Sequence, residues 1–201
     1  MSTIAIQVYR TPNPLTLKFE TGNTLLSRGQ TQSFARDSQH IPTPLKAILD
    51  LPGVVSLMVG ESFVSVTRDP GADWDEVLPS LNWQSLTESV VQVLKLELSQ
   101  ATLPFNLPKW GESSDWAGAE TSGSSDDEIS RKIQTIIDEE IRPAVAMDGG
   151  DIVFDRYERG VLFVRMKGAC SGCPSSTLTL RMGIENRLKE DIPDLVQVVP
   201  V

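Results

Sequence analysis

Apolar and polar positions alternate from the start of the chain. Residues 1–9 (Met-Ser-Thr-Ile-Ala-Ile-Gln-Val-Tyr) predict a strand, and Thr11-Pro12-Asn13-Pro14 breaks it. Each proline fixes φ and pushes the residue before it out of the helical region. Residues 15–20 alternate again before a turn at Gly22-Asn23, and residues 23–40 are polar and weakly patterned. Residues 44–51 predict a short helix with Thr43 as N-cap and Pro44 at its first position, stopped by Pro52-Gly53. The β-rich runs 54–59 and 62–67 flank Gly60-Glu61 and predict a hairpin. A helix is then expected from near Asp73 to Pro79. A further stretch, 81–98, places Leu86, Val90, Val93, Leu94 and Glu97 at helical spacing.

The pattern changes after residue 98. Residues 111–127 are nearly all Gly, Ser, Ala, Thr, Asp and Glu, with Trp116 among them and Trp110 just before. Such a segment buries too little apolar surface to offset its ordering entropy, so residues 99–127 are expected to form a flexible acidic linker. Beyond it, Ser125 and Glu128 stand at capping-box spacing. Ile129, Ile133, Ile136, Ile137 and Ile141 then share one helical face, and Pro143 is expected to break or kink that helix. Asp148-Gly149-Gly150-Asp151 reads as a turn. Residues 152–157 and 161–167 predict a hairpin around Glu158-Arg159-Gly160. Residues 178–188 are helical in pattern, with Ser175 or Ser176 as N-cap and Pro174 just outside, and residues 195–199 close the chain as a strand. The fold class is α+β: two small α+β domains, 1–98 and 128–201, joined by the linker 99–127.

Composition narrows the function. The 201 residues carry a net charge of −9, which repels phosphate backbones and argues against nucleic acid as a partner. No apolar run is long enough to span a membrane. The strand-like start lacks the features of a signal or transit peptide, so a bacterial cytoplasm is expected; an organellar form after leader removal is the other compartment left open. The first domain has no catalytic constellation, and its His40 reads as a surface loop residue without partners at ligand spacing.

The two cysteines, Cys170 and Cys173, sit in Lys167-Gly168-Ala169-Cys170-Ser171-Gly172-Cys173-Pro174-Ser175-Ser176. Thiols at this spacing can converge on a metal centre or form a disulfide. The loop runs from a strand into a helix start, where unpaired N–H groups and the helix dipole favour thiolate over thiol. Soft thiolates select zinc, Cu(I) or iron–sulfur. A four-coordinate site needs four donors, and the chain has two cysteines and one distant histidine. A metal site would therefore be completed from outside, most simply by a second copy of the chain. Thiol–disulfide oxidoreductase chemistry is the alternative, although no βαβ unit precedes the motif.

Residues 141–152 (Ile-Arg-Pro-Ala-Val-Ala-Met-Asp-Gly-Gly-Asp-Ile), followed by Gly168-Ala169-Cys170-Ser171-Gly172-Cys173-Pro174-Ser175-Ser176, resemble the C-terminal domain of the NifU/Nfu proteins. Thr11-Pro12-Asn13-Pro14, Leu17-Lys18-Phe19, Pro44-Leu45 and Leu51-Pro52-Gly53-Val54 resemble the N-terminal domain of Nfu proteins. The resemblance implies an iron–sulfur cluster scaffold and carrier, not an enzyme and without catalytic residues. It implies that Cys170 and Cys173 of two chains bind a bridging [4Fe–4S] cluster, although four thiolates serve [2Fe–2S] as well. It further implies a homodimer on cluster binding, apo iron–sulfur proteins as recipients and an upstream assembly scaffold as donor.

Overall fold

A computed structural model of the chain describes residues 5–69, 83–107, 125–171 and 174–201. The chain divides into two units, Met1–Leu107 and Pro108–Val201. The helix expected at 73–79, Trp110, Trp116 and most of the expected linker lie outside the described residues, as do the side chains of residues 125–127 on which the capping box rests.

In the first unit, β1 (Gln7–Arg10), β2 (Thr16–Glu20), β3 (Gln32–Ala35), β4 (Val54–Val59) and β5 (Phe63–Arg68) form one antiparallel sheet. Its strand order is β1-β2-β5-β4-β3. Helices α1 (Thr43–Leu49) and α2 (Trp83–Leu98) supply Leu45, Ile48, Leu86, Val90 and Leu94 to a core shared with Phe19, Val64 and Val66. The β3 strand lies inside the stretch 23–40 that reads as polar and weakly patterned. One buried apolar residue, Phe34, opposite Leu57 of β4, anchors it, and one residue makes no periodicity. Pro42, not Thr43, caps α1: its carbonyl accepts the N–H groups of Leu45 and Lys46, both at 2.9 Å. Two prolines with fixed φ, Pro42 and Pro44, make the helix entry without a side-chain cap. Residues 103–107 return to this unit. Phe105 N–H donates to Leu25 O at 2.8 Å, and Leu103, Phe105 and Leu107 pack on the core.

The second unit runs α3 (Ser125–Ile136), a π-helical turn (Ile137–Ile141), α4 (Arg142–Met147), β6 (Gly150–Glu158), β7 (Val161–Gly168), α5 (Pro174–Asp191) and β8 (Gln197–Pro200). The isoleucine stripe is core: Ile133, Ile136, Ile137 and Ile141 are buried. Pro143 neither breaks the chain's helical path nor ends it. Arg142 N–H reaches back five residues to Ile137 O, so the turn before the proline is widened. The extra residue accommodates a ring that lacks an N–H and would otherwise crowd the carbonyl four positions back. Strands β6 and β7 pair antiparallel, closing through Arg159 (φ 51°) and Gly160 (φ 81°), the two left-handed residues of a tight hairpin turn. Strand β8 then pairs parallel to β7, with Leu162 opposite Val198. Pro174 is the first residue of α5 rather than a residue outside it; a ring with helical φ and no N–H suits that place. Ile184 and Leu188 of α5, with Ile192 just beyond its end, share a core with Ile152, Leu162, Val164 and Val198 of the sheet.

Candidate functional site

The site builds from the end of β7. Gly168 takes φ 58°, in the left-handed region that favours glycine, and turns the chain out of the sheet. Cys170 N–H donates to Lys167 O at 3.2 Å and Ser171 N–H to Gly168 O at 3.1 Å, so a tight turn follows the strand. The Ser171 hydroxyl adds a bond to the same Gly168 carbonyl at 2.8 Å. Helix α5 begins at Pro174, so the cysteine loop joins strand to helix as the sequence predicts. Gly172 and Cys173 lie outside the described residues. His40 sits exposed in the first unit with φ 56°.

The Asp148–Asp151 turn lies directly against the cysteine loop. Gly150 pairs with Gly168 across the ladder, and Ala169 N–H donates to Gly149 O at 3.1 Å. A Cβ on Gly150 would come 2.1 Å from the Cys170 Sγ and 3.0 Å from its backbone nitrogen. The second glycine of the turn is thus the seat of the first cysteine. The first, Gly149, holds φ 74° and makes the turn itself.

Cys170 faces inward and is only 6% exposed. Burial pushes its thiol up to about 12, with the carboxylates of Asp151 and Asp148 acting in the same direction. The backbone N–H of Asp151, hydrogen-bonded to the sulfur, opposes them. This corrects the sequence expectation of a lowered cysteine pKa. A helix start lowers the pKa of a thiol that faces it, whereas Cys170 points into the fold beside two acids.

Asp151 is itself 2% exposed and is gripped by Arg142, Nε to Oδ1 at 2.8 Å and Nη2 to Oδ2 at 3.2 Å. The third guanidinium nitrogen, Nη1, bonds Asp138 at 3.1 Å. Burial alone would lower the Arg142 pKa, but these hydrogen bonds outweigh it and the net direction is up. Lys167 stands opposite Asp151 in the ladder. Burial lowers its pKa, and Arg142 and Arg165 add to that against the attraction of Asp151. Sequence reasoning took the two aspartates as turn residues and missed Arg142 and Gly150 as parts of the cysteine site. The available signal was the arginine nine residues before Asp151, beyond the reach of any local helix pair.

Among the described residues no group of three or more His, Cys, Asp or Glu side chains could hold a metal ion. The described donor is the one thiol of Cys170, soft and close to a backbone N–H. Once deprotonated, such a thiol is a donor of the kind that soft metals take, and the rest of a ligand set lies beyond the described residues of this site.

Two family models match consecutive stretches: "Scaffold protein Nfu/NifU N terminal" over residues 6–101 and "NifU-like domain" over residues 133–199. A Drosophila ananassae protein named "NFU1 iron-sulfur cluster scaffold homolog, mitochondrial" is 35% identical over 98% of this chain and 64% of its own length. Its namesake from Drosophila sechellia is 34% identical with the same coverage. The chain therefore spans just under two thirds of the length of these curated relatives. The solution structure of a NifU-like protein from Saccharomyces cerevisiae is 25% identical, covering 49% of this chain and 82% of that one, with a TM-score of 0.41. The expected bacterial cytoplasmic location is overturned, because the relatives matching along nearly the whole chain are named as mitochondrial. That expectation rested on a strand-forming start, and a strand carries no compartment address. With an Nfu-type domain followed by a NifU-like domain, the chain belongs to the NifU/Nfu family.

Proposed function

We propose that this protein is an iron–sulfur cluster scaffold and carrier, a binding and transfer protein without substrate turnover. The observation that carries the reading is a pair of cysteines in a strand-to-helix loop, within a chain whose relatives over 98% of its length are named iron-sulfur cluster scaffolds. In this reading the domain of residues 128–201 holds the cargo and is joined to the domain of residues 1–98 through residues 99–127, of which Leu103, Phe105 and Leu107 pack on the first unit. Cys170 and Cys173 are the ligands. Two thiolates per chain make half of a four-thiolate set, and two chains about a two-fold axis complete it. The cargo is then a [4Fe–4S] cluster bridging a homodimer. An upstream assembly scaffold supplies it, and apo-proteins receive it as their thiolates displace those of the carrier.

The inward position of Cys170 has a consequence for loading. The thiol must leave its seat on Gly150, or the seat must open, before the sulfur can face a second chain, and the proton must leave the sulfur as the metal bond forms. A buried thiol is a poor nucleophile, which disfavours a dithiol oxidoreductase. Anaerobic incubation with iron and sulfide should give broad visible absorbance in the wild type, and none in C170A or C173A. A wild-type chain that takes up no cluster under those conditions overturns the reading.

A further inference from the structure

Three elements meet at Asp151. Arg142 stands where the π-helical turn passes into α4, and its guanidinium forks onto both carboxylate oxygens. Asp151 lies in β6, beside the glycine on which the Cys170 Sγ rests, and its own N–H hydrogen-bonds that sulfur. Cys170 itself stands two residues beyond the end of β7. The side chain of Asp151 therefore faces the arginine while its backbone faces the thiol. A two-point fork fixes direction as well as distance, which a single hydrogen bond or a lysine ammonium does not.

We propose that Arg142 is a positioning residue for the cysteine site: by gripping Asp151 it holds the Gly150–Asp151 backbone against the Cys170 sulfur. The grip decides how readily the first ligand leaves its seat. Asp138, on the same guanidinium at 3.1 Å, keeps Arg142 oriented from the helix side. Lys167, opposite Asp151, supplies a second cation but comes from β7, the strand that carries the cysteine loop. It cannot tie that loop to α4. The part of the proposal that concerns cargo rests on the scaffold reading above; the part that concerns the thiol seat does not.

The test uses the full chain without iron, in a C173S background so that alkylation reports Cys170 alone. Iodoacetamide reaction at pH 8 and amide exchange at residue 151 are followed in R142, R142K, R142Q and R142Q/D151N proteins. Loss of the fork should raise both rates about tenfold or more, as expected for one charge-assisted contact removed from a local opening equilibrium. Amide exchange of residues 162–164 in the neighbouring strand should stay at the wild-type rate. R142K, with charge but no fork, should fall between. The double variant removes the buried carboxylate that R142Q would strand, so it reports even where R142Q does not fold. Unchanged alkylation and exchange in folded R142Q/D151N and R142K overturn the proposal. So do rates that rise equally at residues 162–164, which would mark Arg142 as a general stabiliser. Iron uptake by the wild type is measured separately: its failure removes the scaffold reading and leaves the result on the seat standing.

Discussion

Cys170 Sγ occupies the place that a side chain on Gly150 would take, 2.1 Å from where its Cβ would stand. The glycine and the cysteine are twenty residues apart in sequence and are brought together by the β6–β7 pairing. G150A should therefore displace the cysteine loop or part the strands. An overpacked site of this kind costs about 1–3 kcal/mol. Denaturant unfolding of the variant should show that loss, and Cys170 should alkylate faster than in the wild type. An unchanged midpoint and alkylation rate would show that the seat is loose.

Gly183 provides the contrast. It lies in α5, exposed, and a Cβ there would meet nothing within 4 Å. G183A should stabilise the second unit by about 0.5–1 kcal/mol through helix propensity alone. Thermal unfolding of the two alanine variants side by side separates a glycine kept for contact from one that is not.

The hairpin turn offers a third prediction. Arg159 is exposed and holds φ 51°, a conformation that costs a non-glycine residue roughly 1 kcal/mol and that asparagine tolerates better. R159N creates the Asn-Gly pair favoured in such turns. It should raise stability by about 0.5–1 kcal/mol with the alkylation rate of Cys170 unaltered, since the turn lies at the far end of the ladder.

The pH dependence follows from the Cys170 thiol, raised from 9.0 to about 12 in the fold. A raised pKa means that the folded chain keeps its proton where the unfolded chain has lost it. The resulting stability is fully present below pH 9 and is lost as pH rises through the folded value. Over the whole interval this amounts to on the order of 4 kcal/mol. Wild-type stability should therefore fall relative to C170S between pH 9 and 11 in iron-free protein. Parallel profiles for the two proteins would place the thiol in water.

Much of the fold was legible because it rests on repeated local signals. The isoleucine stripe from Ile133 to Ile141, the β6–β7 hairpin with its Arg159-Gly160 turn, and the strand-to-helix setting of the cysteines can all be read from spacing. The departures have local causes. The β3 strand has one buried apolar position, Phe34, and otherwise rests on its pairing with β4. Pro143 passes through a helix because a π-turn precedes it, and no single-residue rule announces that turn. The cysteine loop was legible as a place between strand and helix, and the orientation of Cys170 within it was not. Nothing in a CxxC spacing says that Cys170 turns toward Gly150 rather than toward the helix start, nor that Asp151 is held from behind by Arg142. Those facts belong to the pairing of distant segments.

In the proposed scaffold the cargo is held between two chains by Cys170 and Cys173. Native mass spectrometry of the anaerobically loaded protein decides this, because one spectrum reads chain number and iron content together. The expected species is two chains carrying about four irons with matching sulfide, the load of one bridging [4Fe–4S] cluster on four thiolates, and it is lost in both C170A and C173A. A single chain that retains the full cluster, or a metal-bearing dimer that survives removal of either cysteine, would contradict it.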